Sequence, residues 1–177
     1  MARFVAALPS DSYTEVQMKK GTNDVARLSI ADRIHQSAFA VLYPWAARLE
    51  SLMGRKSDAA AVAVWHAGRL LVVEHSYKRG LTLPGGHIGS NETPVLAAAR
   101  ELEEEIGLVI APAEIRFFGC MEQRHTRLSL FECQLAREPE IRIDNREITA
   151  AAFMAPAAIS EPSSTLRSYL RARRPRS

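Results

Sequence analysis

The chain is poor in cysteine, with Cys120 and Cys133 alone in 177 residues and neither in a CxxC pair. That excludes the usual cysteine-based zinc site and a fold stapled by disulfides. The two flank an expected hairpin centred near Thr126, where they would be able to face each other across strands. Buried, reduced thiols are the expected state. Uncharged apolar runs of about 18 residues are also missing, so no membrane span is expected. The opening residues MARFVAALPS are too short and too weakly apolar for a secretory signal, and a cytoplasmic protein is expected. Broad positive charge is lacking too. The net charge is +3, but Arg167, Arg171, Arg173, Arg174 and Arg176 account for five positive charges, and without them the chain would carry −2. The Arg-rich tail is the one feature that suggests nucleic acid, and no aromatic platform or groove signal accompanies it.

What is present is 47% hydrophobic and 24% charged residues, an ordinary globular composition with enough length for one real core and an extension. Residues 1–57 form the extension. Their first half has no clear period. From Ser29 to Met53, helical spacing appears through Ile30, Ile34, Ala38, Val41, Leu42, Trp45, Leu49 and Leu52, interrupted at Pro44. A helix packed on the main domain is the preferred reading of this segment, and a dimer-forming or membrane-surface helix is the alternative. Residues 58–160 read as the main domain. "AAAVAVWHAGRLLVVEH" is strand, Ala-Gly turn, strand; "SYKRG" is a loop; "LTL" is a short strand into Pro84-Gly85-Gly86. "EIRFFGCMEQ" and "RLSLFECQLA" are two antiparallel strands, and "EITAAAFMAP" is another. Residues 161–177 hold a C-terminal helix, capped by one of the serines, and the Arg-rich tail. Strands and helices mix without regular βαβ alternation.

One helix stands out. Thr93 as N-cap, Pro94 at the first helical position and Gly107 as the left-handed stop predict a helix over 94–106. Val95, Ala98, Ala99, Leu102 and Ile106 make its buried stripe. Glu101, Glu104 and Glu105, at i, i+3 and i+4, read as sharing another face, with Glu103 nearer the edge of the apolar stripe. Like charges so spaced, at the negative end of the helix dipole, cost on the order of 1–2 kcal/mol. A divalent cation removes the conflict: hard Mg²⁺ or Mn²⁺ prefers carboxylate oxygens and usually works beside substrate phosphates.

The spacing is Gly86, five residues, Glu92, seven residues, then Arg100-Glu101-Leu102-x-Glu104-Glu105-x-Gly107-Leu108. This resembles the Nudix box, GX5EX7REUXEEXGU with U a bulky aliphatic residue, at every defined position. The resemblance implies an α/β fold, an α/β/α sandwich around a mixed β-sheet, in which the box binds a divalent metal and the pyrophosphate of a nucleoside diphosphate derivative. It implies Glu101, Glu104 and Glu105 as metal ligands, with the Gly86 carbonyl as a further one. Glu92 and Arg100 would support the box, Arg100 by orienting Glu101. Glu101 is one candidate for the general base and Glu147 a weaker second. Two departures stand outside the defined positions. Gly89 and Asn91 replace an acidic residue and a glycine that many members carry, and Ala152-Phe153 replaces an acidic–Trp pair late in the domain.

The activity implied is metal-dependent hydrolysis of a pyrophosphate linkage in a nucleoside diphosphate derivative or nucleotide, with Mg²⁺ or alternatively Mn²⁺. Two other classes are kept open: a nucleotide-sensing binding module of the same fold, and an RNA 5′-end pyrophosphohydrolase. A homodimer is compatible with either enzyme reading. Candidates for substrate contact are Lys78 and Arg79, His87, and the set Arg124, His125 and Arg127. Tyr77 and Phe118 are candidates to stack on a base, against the plainer reading that both are core.

Overall fold

The computed structural model describes residues 19–20, 57–123, 126–143 and 147–173. The expected N-terminal helix, Arg124, His125 and the end of the Arg-rich tail lie outside the described residues. The strands are β1 (Lys19–Lys20), β2 (Ser57–His66), β3 (Arg69–His75), β4 (Lys78–Thr82), β5 (Gly85–His87), β6 (Arg116–Glu122), β7 (Thr126–Leu135) and β8 (Ile148–Met154). The two α-helices among these residues are α1 (Pro94–Ile106) and α2 (Ser164–Arg173). The order across the sheet is β1-β8-β3-β2-β7-β6, with β4 on β3 and β5 on β2. β2 and β7 run parallel and the other pairs antiparallel, so the sheet is mixed.

Alternation along β2 explains the layers. Ala60, Val62 and Val64 face a core that includes Ala97, Ala98, Leu102 and Ile106 of α1. Ala61, Ala63 and Trp65 face the opposite core with Leu166 and Tyr169 of α2. A central strand covered on both sides must be apolar at every position, which is why "AAAVAVW" has no polar residue. Burying each large aliphatic side chain here stabilises the fold by roughly 1.5–3 kcal/mol. The result is a helix on each face of one sheet.

The Ala-Gly turn joins β2 to β3, with both residues left-handed: Ala67 at φ 46° and Gly68 at φ 73°. Two positive φ values make the tight hairpin that follows the twist of the strands. The C-terminal helix begins as expected, with Ser163 Oγ accepting the Leu166 N–H at 3.3 Å.

Two expectations need correction. "SYKRG" is not a loop throughout, because Lys78, Arg79 and Gly80 belong to β4, which pairs with β3 through His75↔Lys78 and Val73↔Thr82. Cys120 and Cys133 do not face each other: Cys120 is opposite Ser129, and both thiols are free. Cys133 is buried, and burial pushes its thiol up to about 12, whereas Cys120 is exposed. Phe118 follows the plainer reading, core rather than base platform: its ring packs edge-on against Tyr169 at 5.0 Å on the α2 side.

Candidate active site

α1 spans the residues its end signals predict. Thr93 occupies the N-cap position with extended backbone, although its side chain makes no capping bond, and Pro94 follows it. At the other end Gly107 is left-handed at φ 67°, and its N–H bonds the Glu103 carbonyl while the Leu108 N–H bonds that of Leu102. The strand β5 lies beside α1 on β2, which brings Gly85 and Gly86 against the glutamates of the helix.

Arg100 organises the loop and the helix together. Its Nε donates to Glu92 Oε1 at 3.0 Å and its Nη2 to Glu92 Oε2 at 3.1 Å. Nη2 also donates to the His87 carbonyl at 3.0 Å, and Nη1 donates to Glu101 Oε1 and Glu104 Oε2, both at 2.9 Å. A guanidinium has five N–H donors in a planar fork, and this set of acceptors uses all five. The Glu92 bond holds Arg100 above its ordinary range, and the Arg100 bond followed by the Gly89 N–H holds Glu92 below its own. The Gly89 N–H reaches Glu92 Oε2 at 3.0 Å, closing the turn.

The three helix glutamates have three environments. Glu104 is exposed and reaches Arg100. The Glu101 side chain is 14% exposed, and burial followed by the negative charge of Glu105 pushes its carboxyl up to about 7. Glu105 is buried, with Oε2 accepting the Gly85 N–H at 2.9 Å. Of the three glutamates expected on a face apart from the apolar stripe, Glu105 is therefore the one that is buried with that stripe. At about 100° per residue, Glu105 falls between Glu101 and Ala98 on the helix, about 20° from Ala98, and it is buried with it. Glu103, expected nearer the edge of the apolar stripe, is exposed.

Gly85 and Gly86 are there for clearance. Gly85 has φ 148°, and a Cβ on it would lie 2.2 Å from the Ala60 carbonyl oxygen and 2.6 Å from Ala61 Cα. A Cβ on Gly86 would lie 2.5–2.7 Å from the carboxylate atoms of Glu101. Only glycine lets the strand come this close to the acidic helix.

Among the described residues, no group of three or more His, Cys, Asp or Glu side chains stands gathered at metal-liganding distance. Glu101 and Glu104 are turned onto Arg100. The donor set nevertheless fits a hard divalent cation: it is all oxygen and it concentrates like charge, with the Glu101 carboxyl raised by burial and by the neighbouring Glu105. The Gly86 carbonyl lies in the strand that a Cβ would push off Glu101.

The remaining candidates are spread out. Lys78 is opposite His75 in the ladder and shares its face, the α1 side, while Arg79, the next residue of β4, points the other way. His87 is exposed, and its carbonyl is held by Arg100. Arg127 is exposed at the start of β7, opposite Glu122. The backbone carbonyl of Glu147 accepts the Ser76 N–H at 2.8 Å, which sets Glu147 beside the residue that follows His75. Ala152 and Phe153 are buried in β8, so neither offers a ligand or a stacking surface to substrate. A cavity of about 230 Å³ lined by Phe118, Cys120, Met121, Leu130 and Tyr169 opens on the α2 side and shares no residue with the acidic cluster.

Sequence reasoning missed His75. It continues the inward face of β3 after Leu71 and Val73, and its Nε2 lies 3.6 Å from Glu105 Oε1. The alternation of β3 was the available signal: a histidine takes the third inward position of an apolar strand.

The sequence matches the NUDIX domain over residues 55–172. The chain belongs to the NUDIX family. It is similar to a probable DHNTP pyrophosphohydrolase of Lactococcus lactis, 39% identical over 49 residues, which is 28% of this chain and 30% of the relative. It is also similar to an 8-oxo-dGTP diphosphatase of Haemophilus influenzae, 49% identical over 39 residues, 22% of this chain and 29% of the relative. The matched segments thus span under a third of either curated relative. A MutT NUDIX hydrolase from Burkholderia pseudomallei superposes with a TM-score of 0.61 at 19% identity, over 68% of this chain and 99% of that one. The NUDIX domain of Shewanella oneidensis NrtR, complexed with ADP ribose, gives 0.57 at 13% identity, over 66% of this chain and 85% of that one. At these identities the likeness establishes the Nudix fold. No helix of the described residues is long and apolar enough to cross a membrane.

Proposed function

We propose that the chain is a metal-dependent pyrophosphohydrolase that cleaves a phosphoanhydride of a nucleoside diphosphate derivative or nucleotide by attack of water at phosphorus. The observation that carries this reading is the acidic cluster itself. Glu101 and Glu105 are drawn out of water beside Gly85 and Gly86, on a helix whose own cation, Arg100, is already shared among four acceptor groups. Glu101, Glu104, Glu105 and the Gly86 carbonyl would hold Mg²⁺ or Mn²⁺. Such a cation supplies charge neutralisation at the phosphoanhydride and acidifies a nearby water.

The chain's own residues do the rest. Arg100 fixes Glu101 and the Glu92 turn, so the carboxylates keep their spacing. Glu101, with its carboxyl raised to about 7, suits a general base working near neutrality, and Glu147 is the second candidate. Lys78, on the face of His75, is the favoured contact for substrate phosphate; His87 and Arg127 follow, with Arg79 turned away. The two curated relatives are named for cleavage at a pyrophosphate or diphosphate, which supports a nucleotide-class substrate. The RNA reading loses support because Arg173 is engaged by Glu132 at 2.9 Å and lies 4.0 Å over the Trp65 ring. A cytoplasmic location belongs to the same proposal.

The test is phosphate release coupled to a phosphatase or pyrophosphatase, over nucleoside triphosphates, dinucleotides and nucleotide sugars, with Mg²⁺ or Mn²⁺ and an EDTA control. EDTA-sensitive turnover of one class is expected. A folded protein that hydrolyses none of them contradicts the reading and favours a binding module.

A further inference from the structure

The inward face of β3 runs Leu71, Val73, His75. The first two are fully buried in the core beneath α1. His75 takes the next position, and its side chain and that of Glu105 are 5% and 6% exposed. Neither ring nitrogen has an ordinary partner: Nδ1 is buried with no hydrogen bond, and Nε2 lies 3.6 Å from Glu105 Oε1. A buried polar ring in a strand of Leu and Val costs stability where an aliphatic side chain would not. The Tyr77 ring stands edge-on to the imidazole at 5.2 Å.

Glu105 explains the cost. Gly85 N–H occupies Oε2 at 2.9 Å, and Oε1 is the oxygen that faces His75. A carboxylate only accepts, so with a hydrogen on the nitrogen that faces it the pair is one short closure from a hydrogen bond. Active-site contacts of this kind are often long before substrate is bound and tighten in the working complex.

We propose that His75 is a positioning residue for Glu105, holding Oε1 from β3 while Gly85 holds Oε2 from β5, so that the Glu105 carboxylate keeps one orientation toward the cation site. This rests on the hydrolase reading only in giving Glu105 a ligand role. His75 is too buried to touch substrate, so its effect falls on metal affinity and on the chemical step.

The experiment compares wild type, His75→Leu and His75→Gln by titrating Mn²⁺ and following free Mn²⁺ by EPR, with kcat, KM and Tm measured on the same samples. His75→Leu weakens Mn²⁺ binding and lowers kcat by roughly ten- to a hundredfold, with KM within about twofold of wild type. His75→Gln, whose amide N–H reaches the same oxygen, recovers most of both. Wild-type Mn²⁺ affinity in His75→Leu overturns the proposal, and so does a folded His75→Gln variant no better than His75→Leu. If His75→Leu does not fold, His75→Met, close to Gln in length but without a donor, takes its place in the comparison. The affinity readout needs no turnover, so a wild type that binds Mn²⁺ but hydrolyses nothing defeats the hydrolase reading alone.

Discussion

Glu105 lies in the buried arc of α1 and accepts the backbone N–H of Gly85 at 2.9 Å. A carboxylate in an apolar arc is expensive, and a single amide bond does not offset its desolvation. In the proposed function the helix and the Gly85-Gly86 strand are two walls of one cation site, which would offset that cost.

The Gly pair gives the most direct structural prediction. Gly86→Ala places a methyl 2.5–2.7 Å from the Glu101 carboxylate, the far end of a flexible side chain rather than backbone. The variant is expected to fold with a Tm near wild type and to lose most of its metal affinity. Gly85→Ala meets backbone at 2.2 Å on a positive φ and is expected to lose several kcal/mol of stability, on the scale of overpacking plus backbone strain. Equal thermal stability of the two variants, measured by calorimetry, contradicts this account.

Glu101 sets a pH dependence. Its carboxyl titrates near 7 in the folded chain against an ordinary 4.5. The folded metal-free protein therefore holds this proton to higher pH than the unfolded chain does. Stability is lost as pH rises from about 4.5 to about 7, on the order of 2–3 kcal/mol. Glu101→Gln flattens that slope in a chemical denaturation series. Stabilisation by added Mg²⁺ is larger at pH 8 than at pH 5.5, because the ligands must be deprotonated. A slope unchanged by Glu101→Gln contradicts the assignment.

On the opposite face, the Tyr169 hydroxyl donates to Glu132 and accepts the Trp65 Nε1–H at 2.7 Å. Burial and the neighbouring Glu132 push the phenol well above its ordinary range. Tyr169→Phe leaves a buried indole N–H and a carboxylate short of a partner and is expected to cost about 1–3 kcal/mol. Turnover per folded molecule stays at wild-type level, because none of these groups belongs to the acidic cluster. A loss of kcat at unchanged Tm contradicts that separation.

Ala67 holds a left-handed conformation at φ 46° that alanine disfavours. Ala67→Asn, which makes the turn Asn-Gly, is expected to stabilise the fold by about 0.5–1 kcal/mol. Urea denaturation reads it directly, and a lower midpoint contradicts it.

Much of this was written in local sequence. The ends of α1 were legible because Pro94 and Gly107 act on the backbone of their own neighbours. The β2–β3 hairpin was legible from its Ala-Gly turn between two apolar runs. The family was legible because the Nudix box is one contiguous segment. What was misread depends on distant partners. Spacing groups Glu105 with Glu101 and Glu104 apart from the apolar stripe, while the groups that face it in its buried position come from β3 and β5. The Lys78–Gly80 stretch looked like a loop because it is charged and holds a glycine, yet an edge strand tolerates both when β3 supplies the ladder. The Trp65–Tyr169–Glu132–Arg173 network joins β2, β7 and α2, and no local pattern reports it.

The central claim is that the buried carboxylate of α1 is part of a metal-dependent hydrolytic site. The most direct measurement is kcat of Glu105→Gln against wild type, under saturating Mg²⁺, on whichever nucleotide the wild type hydrolyses. A glutamine keeps the size and can still accept the Gly85 N–H, so the variant is expected to fold normally and to lose turnover by roughly two orders of magnitude or more. A folded Glu105→Gln variant that turns over at the wild-type rate would contradict the account.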